Sequence, residues 1–213
     1  MLDPFWLLAP IAVAALAAFY FVFGSFLCGA GYQPTFRSSV LRMLDLARVG
    51  PGDCLYDLGA GTGAILFRAA RRHHARVVGV EIEPFRYLIL DLRRLVGGPR
   101  DRVRILWKNL FDVDLSEATV VALFLWPEAM RRLRPKLEAE LRPGTRVVSH
   151  WHEMPGWRPR EYDPRTRVYL YLWNGRETVG PEPFPPEGPE GPASGGGEVR
   201  PFPGAAPPSA PRT

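Results

Sequence analysis

Hydrophobic positions along the chain follow three different regimes. From Phe5 to Phe23 every side chain is apolar apart from the Tyr20 hydroxyl, and with Gly24–Cys28 the run reaches 24 residues. A helix of that length is about 36 Å long, enough to span a hydrocarbon core of about 30 Å with some tilt. The pattern predicts a transmembrane helix over 5–28, with Trp6 at one end and Phe19, Tyr20, Phe23 and Phe26 at the other as interfacial aromatics. Pro10 falls near its start, where a membrane helix tolerates it. A cleaved signal would need a basic start and a shorter apolar run, and the chain begins Met1-Leu2-Asp3.

After this segment short apolar runs alternate with helix-periodic ones. Val40, Met43, Leu44 and Ala47 share one face of a helix that Thr35 or Ser38 can cap. Strands are predicted at 54–58, 76–81, 102–107, 119–126, 145–151 and 167–173, and further helices at 64–72, 84–95 and 127–141. Strands alternating with helices give an α/β, Rossmann-like, doubly wound and mostly parallel sheet. The connection before the last strand is too short for a full helix, which predicts an abbreviated C-terminal end with an antiparallel edge. From Gly180 to Thr213, Pro and Gly fill 18 of 34 positions, so the stretch from residue 175 is predicted to be disordered. The expected organisation is a membrane helix at 5–28, a catalytic domain at 32–174 and a tail at 175–213.

Charge refines this picture. No charged side chain lies between Pro4 and Phe36, whereas residues 37–174 carry 24 Arg/Lys against 16 Asp/Glu. A domain at +8 beside a membrane segment suits an anionic lipid surface, and nucleic acid is the lesser candidate. Arg37, Arg42 and Arg48 follow the apolar run and only Asp3 precedes it. The positive-inside rule then gives a single-pass protein of the cell's inner membrane with its domain in the cytoplasm. Cys28 and Cys54 read as small buried hydrophobes, with neither disulfide nor metal spacing.

The candidate chemistry starts at Asp57-Leu58-Gly59-Ala60-Gly61-Thr62-Gly63, where a strand runs into a glycine loop and a helix N-terminus. In such sheets ligands bind at the carboxyl ends of the strands. Glu81 ends the second strand, where a carboxylate can accept ribose hydroxyls, and Asn109 follows the third, where an amide oxygen can meet an adenine amino group. The glycine spacing also fits a dinucleotide fingerprint. Against that reading stand an acid before the glycines, which suits a cationic ligand better than a pyrophosphate, and a core too short for a second domain.

These motifs resemble those of class I S-adenosylmethionine-dependent methyltransferases. More narrowly, the chain is similar to the small membrane-anchored protein-lysine methyltransferases that modify the ATP synthase c subunit and the adenine nucleotide translocase. The resemblance covers about residues 32–173. It is carried by Tyr32-Gln33-Pro34-Thr35, Tyr56 to Gly63, Gly79 to Pro84, Asn109-Leu110-Phe111, Val120 to Glu128, Leu133 to Leu137, Arg146 to His150 and Pro155 to Pro159. The family often has Asp in place of Thr62, Arg in place of Ala64 and Asp in place of Asn109. The resemblance implies S-adenosyl-L-methionine as cofactor, bound by Thr35, Asp57, Gly59, Ala60, Gly61, Gly63, Glu81, Ile82, Asn109, Leu110 and Phe124. It implies methyl transfer to a lysine of a membrane-associated protein.

A lysine target must lose its proton, which a desolvated aromatic slot favours. Such a slot is expected where Phe124 to Glu128 and His150 to Glu153 end two strands, with Trp126 shaping it and Glu128 or His150 orienting or deprotonating the amine. Glu128 also suits a helix N-terminus in its own right. The pair His150 and His152 with Glu153 lacks the further ligands of a metal site. A small or lipid-like acceptor, or a non-catalytic membrane module, are the alternative readings.

Overall fold

The computed structural model describes residues 8–15 and 36–179. Residues 8–15 are helical, and among the described residues no helix is long and apolar enough to cross a membrane. Most of the segment expected to span the bilayer, together with Thr35 and residues 180–213, lies outside the described residues.

From Phe36 onward the order is α1 (Arg37–Leu46), β1 (Cys54–Leu58), α2 (Ala64–Arg72), β2 (Arg76–Glu81), α3 (Pro84–Gly97), β3 (Val103–Trp107), a 3-10 turn (Leu110–Asp112), β4 (Val120–Leu123), α4 (Pro127–Glu140), β5 (Arg146–His150), β6 (Glu161–Asp163) and β7 (Val168–Leu172). The strands form one sheet in the order β3-β2-β1-β4-β5-β7-β6. The first five are parallel; β7 runs antiparallel to β5, and β6 antiparallel to β7. The chain direction reverses on either side of β1, which places the switch point between β1 and β4.

Alternation along the strands sorts the core into two layers. Leu55, Val77, Val120, Ala122 and Val148 face α1, α2 and α3 through Val40, Met43, Leu44, Leu66, Phe67 and Leu90. Tyr56, Leu58, Val78, Val80, Val121 and Val147 face the other way, onto Met130, Leu133 and Leu137 of α4. Among the described residues, α1, α2 and α3 cover one face and α4 the other. An aromatic wedge fills the remainder. Trp157 stacks on Trp173 at 5.4 Å and meets Tyr171 edge-on at 5.7 Å. Its polar tips are satisfied: Trp157 Nε1 donates to Glu138, Trp173 Nε1 donates to the Leu141 carbonyl, and the Tyr171 hydroxyl accepts from Met154 N.

Four expectations need correction. α1 starts at Arg37 behind Phe36, which has no side-chain cap, so Ser38 lies inside the helix. β4 stops at Leu123, three residues before the expected end, because its partner β1 ends opposite at Leu58; Phe124–Trp126 therefore leave the sheet. β6 was not legible: its three residues are all half-buried and show no alternation. Tertiary contacts fix it, since Arg42 on α1 bridges Asp163 at 2.6 Å and Glu161 at 3.4 Å, and Tyr162 stacks on Tyr169 at 4.4 Å. The folded chain also continues past residue 174. Thr178 pairs with Trp173, and its buried hydroxyl accepts from Arg158 N at 2.8 Å.

β2 carries a glycine where α2 crosses it. A Cβ on Gly79 would lie 2.9 Å from Leu66 Cδ2 and 3.3 Å from Ala60 Cβ. Leu66 is fully buried and has no open space to move into. Gly79→Ala is expected to destabilise the fold by about 1–3 kcal/mol through overpacking, read as a lower urea midpoint with an unchanged slope.

Candidate active site

The carboxyl ends of β1, β2 and β4 lie side by side, with Leu58 paired to both Val80 and Leu123. The chain leaves β1 into the glycine loop. Gly59 N and Ala60 N both donate to the Val80 carbonyl at 2.9 Å, and Gly63 N donates to Ala60 at 2.8 Å. Gly63 caps α2 with φ of 83°. A Cβ there would also lie 2.6 Å from the buried Phe67 ring and 2.7 Å from Leu90, so only glycine fits.

Two buried carboxylates hold this turn. Glu81 accepts from Gly61 N at 2.8 Å, Ile82 N at 3.1 Å and Glu83 N at 3.0 Å. Burial raises the Glu81 pKa, against the pull of those backbone donors and the nearby Arg86 charge. A carboxylate accepts about four hydrogen bonds, so Glu81 has room for one more without giving up a loop contact. Asp57, fully enclosed, is pushed up to about 7, first by desolvation and then by the charge of Glu81; a hydrogen bond from the Leu66 backbone at the start of α2 works the other way. Glu83 caps α3 by accepting from Phe85 N at 3.0 Å and Arg86 N at 2.8 Å, with Pro84 in the first turn.

The other expected cofactor residues gather around this loop to differing degrees. Gly59 approaches Leu125 of the β4 loop closely enough that a Cβ would lie 3.3 Å from its side chain. Ile82 is partly exposed beside Glu81. Asn109 is exposed and its Oδ1 accepts from Phe111 N at 3.1 Å, so it shapes the 3-10 turn as well as facing solvent. Leu110 packs on the second core layer. The sequence reading missed Trp107, which donates from Nε1 to the Ile82 carbonyl at 2.9 Å and stacks on Tyr87 at 5.8 Å. An exposed Trp at the carboxyl end of a strand was the available signal. The glycine loop, buried Glu81, half-exposed Ile82 and exposed Asn109 are residues that could hold an adenosyl group, Glu81 through its remaining acceptor capacity.

The expected slot is assembled between the ends of β4 and β5. Phe124 meets the His150 imidazole edge-on at 4.4 Å, and Trp126 lies 5.9 Å from His152. Trp151 adopts φ of 72°, a left-handed conformation that ends β5; its N donates to the Arg167 carbonyl at 2.7 Å and the Arg167 guanidinium covers its ring. His150 is buried, and desolvation lowers its pKa to about 4. Its Nδ1 is enclosed with no hydrogen-bond partner. Glu128 is exposed on the first turn of α4 and paired with Arg131.

Asp57 makes stability pH-dependent. Its folded pKa exceeds the unfolded value, so its contribution is complete below about pH 4 and is lost as pH rises through about 7. Between pH 5 and 8, without added ligand, an Asp57→Asn variant is expected to gain about 2–3 kcal/mol of stability relative to wild type, measured by urea unfolding of both proteins at both pH values; the lowered pKa of buried His150 acts in the opposite direction in both proteins and drops out of the comparison.

Comparison with known proteins identifies the family. Residues 57–161 match the ANTKMT methyltransferase domain. A protein-lysine N-methyltransferase of Saccharolobus islandicus is 43% identical over 150 residues, which is 66% of this chain and 92% of that protein. The mouse adenine nucleotide translocase lysine N-methyltransferase is 34% identical over 142 residues, and the chain spans 62% of its length. Among solved structures, an RNA methyltransferase from Salinibacter ruber in complex with S-adenosyl-L-homocysteine is 44% identical, with a TM-score of 0.64 over 70% of this chain and 97% of that one. S-adenosyl-L-methionine is thus the cofactor of this protein. The chain belongs to the ANTKMT-like protein-lysine methyltransferase family and is a class I S-adenosylmethionine-dependent methyltransferase.

Proposed function

We propose that the protein methylates a lysine amine of a membrane-associated protein. The observation that carries this reading is the buried, neutral His150, whose enclosed Nδ1 has no hydrogen-bond partner, set edge-on against Phe124 at the end of β5. When bound, the cofactor supplies an electrophilic methyl group. The chain's own residues would do the rest. Phe124 and Trp126 strip water from the acceptor and so favour the neutral amine. His150, with a pKa near 4, is far too weak a base to deprotonate an ammonium group, but its Nδ1 can accept a hydrogen bond from the amine and aim the nitrogen at the methyl. The proton then leaves to solvent before transfer. Glu128, tied to Arg131 at the helix start, favours the N-terminus of α4.

His150→Ala is expected to lower kcat by about 10- to 100-fold with the cofactor dissociation constant within about threefold of wild type. Glu128→Gln should change neither by more than about threefold. Equal turnover in His150→Ala and wild type would remove the orienting role.

The likeness to lysine methyltransferases, among them the mouse enzyme named for the adenine nucleotide translocase, supports a protein acceptor. The uncharged run at 5–28 supports anchoring in the membrane of its target, with the catalytic domain in the cytoplasm; confinement to one plane raises the effective concentration of enzyme and target. RNA is the second reading, favoured by the Salinibacter ruber structure and by the excess of 24 basic over 16 acidic residues in 37–174. Detergent-purified protein, labelled cofactor and membranes from a strain lacking the gene separate them. A labelled protein band that disappears with Asp57→Ala is the expected result. Label in RNA or in extracted lipid alone would overturn the lysine reading and keep the enzyme class.

A further inference from the structure

A basic groove lies on the face of the sheet covered by α1, α2 and α3, reaching Gly63 at the start of α2. Arg37 of α1, Arg68, Arg71 and Arg72 of α2, and Arg93 of α3 converge on a groove of about 360 Å³ floored by Phe67. Arg71 donates to the Gly97 carbonyl at 2.7 Å and Arg93 to Thr62, which steer these side chains without neutralising them. No carboxylate among the described residues pairs with Arg37, Arg68 or Arg72. Partial burial and the like charges of Arg37 and Arg72 lower the Arg68 pKa, as expected of a cluster short of an anion.

Beside this groove α3 presents the wrong face to solvent for a helix of a soluble sheet. Among its residues only Arg86 and Leu90 are buried. Leu88, Leu92, Leu95 and Val96 are 60%, 57%, 43% and 80% exposed. At 100° per residue they fall within about 100° of arc, with Arg93 flanking them on the groove side. The same helical face begins at Phe36, 71% exposed, where the uncharged run ends and Arg37 opens the groove.

We infer that this face is a membrane-binding surface: the arginine groove takes the phosphates of anionic phospholipid headgroups while the α3 stripe enters the headgroup–acyl boundary. Clustered arginines beside an aliphatic stripe are what an interfacial helix needs. Single-stranded RNA would call for exposed stacking aromatics among the cations; Phe67 lies buried beneath Arg71 and Arg93, and the exposed stripe of α3 offers Leu and Val. The surface rests on the membrane reading above only in that the domain must sit beside a bilayer. Docking through α2 and α3 would hold the domain on its helical side, leaving the ends of β4 and β5 open to an acceptor.

The test uses the full chain with Cys28→Ser and a polarity-sensitive fluorophore on Val96→Cys; Cys54 is buried and does not compete. The protein is reconstituted in vesicles of phosphatidylcholine alone or with phosphatidylglycerol. The expected result is a blue shift confined to the anionic vesicles and reduced by added salt. Arg68→Glu with Arg72→Glu should raise the phosphatidylglycerol needed at least about tenfold, and Leu88→Ser with Leu92→Ser should abolish the shift at any lipid content. Equal shifts in both vesicle types, as from packing against this chain's own apolar run, would overturn the proposal. So would a shift produced by an RNA oligonucleotide and not by anionic lipid. Methyl transfer to protein is read separately, with the membranes of the strain lacking the gene, so a labelled band there without a shift in the vesicles retires the surface alone, and a shift without a band retires the acceptor reading alone.

Discussion

Glu81 is the constraint on which the cofactor end of the sheet depends. Its carboxylate gathers three backbone N–H groups, one from the glycine loop after β1 and two from the turn into α3. Without it, those donors would be buried without partners, each at a cost of about 1–3 kcal/mol. The same group is the ribose ligand expected of the fold. One side chain thus sets the loop before the cofactor arrives and keeps an acceptor site in reserve for it. Asp57 complements this from the neighbouring strand, held in apolar surroundings near the start of α2. Two carboxylates enclosed together favour a cationic ligand over another anion, which is the electrostatic difference between this crevice and a pyrophosphate site.

The glycine loop and the acid that supports it were legible because their signals are local. Glycines at fixed spacing after a buried strand, and an acid at the end of the next, need no tertiary information to be read. Val77, Val78 and Val80 marked β2 to the residue, and Pro84 behind Glu83 marked the start of α3. The acceptor half was legible only as a neighbourhood. That Phe124 would meet His150 depends on β4 ending at Leu123, which is decided by where β1 ends and not by the apolar run that continues to Trp126. Periodicity could not foresee this. It also missed β6, which exists because Arg42 and Tyr169 hold it, and Trp107, whose partners lie 20 and 25 residues away.

The unequal covering of the sheet links these halves. Among the described residues α4 is the one helix on the second face, and the segment after β5 adds to that layer. Trp157 does so, wedged against Tyr171 and Trp173 and hydrogen-bonded to Glu138. That wedge fixes the far end of residues 151–157, and the left-handed Trp151, roofed by Arg167, fixes the near end. Between two fixed points the loop has little freedom, and Ser149 Oγ closes it further by donating to the His152 carbonyl at 2.7 Å. An aromatic slot held this way loses little conformational freedom on closing around an amine, and that pre-organisation is where a methyltransferase gains most.

A consequence follows for His150. Ionisation of this imidazole would place a charge in an apolar enclosure against Phe124, which is why its pKa falls to about 4. A positive neighbour would also repel both an incoming ammonium and a sulfonium. Keeping the histidine neutral therefore serves both reactants, and the enclosed Nδ1 gives the slot an acceptor that costs no charge. A carboxylate in the same place would bind the ammonium more tightly and hold it protonated, which opposes attack. The physical demand is a weak acceptor in a dry site, and a buried neutral imidazole meets it where the exposed, ion-paired Glu128 does not.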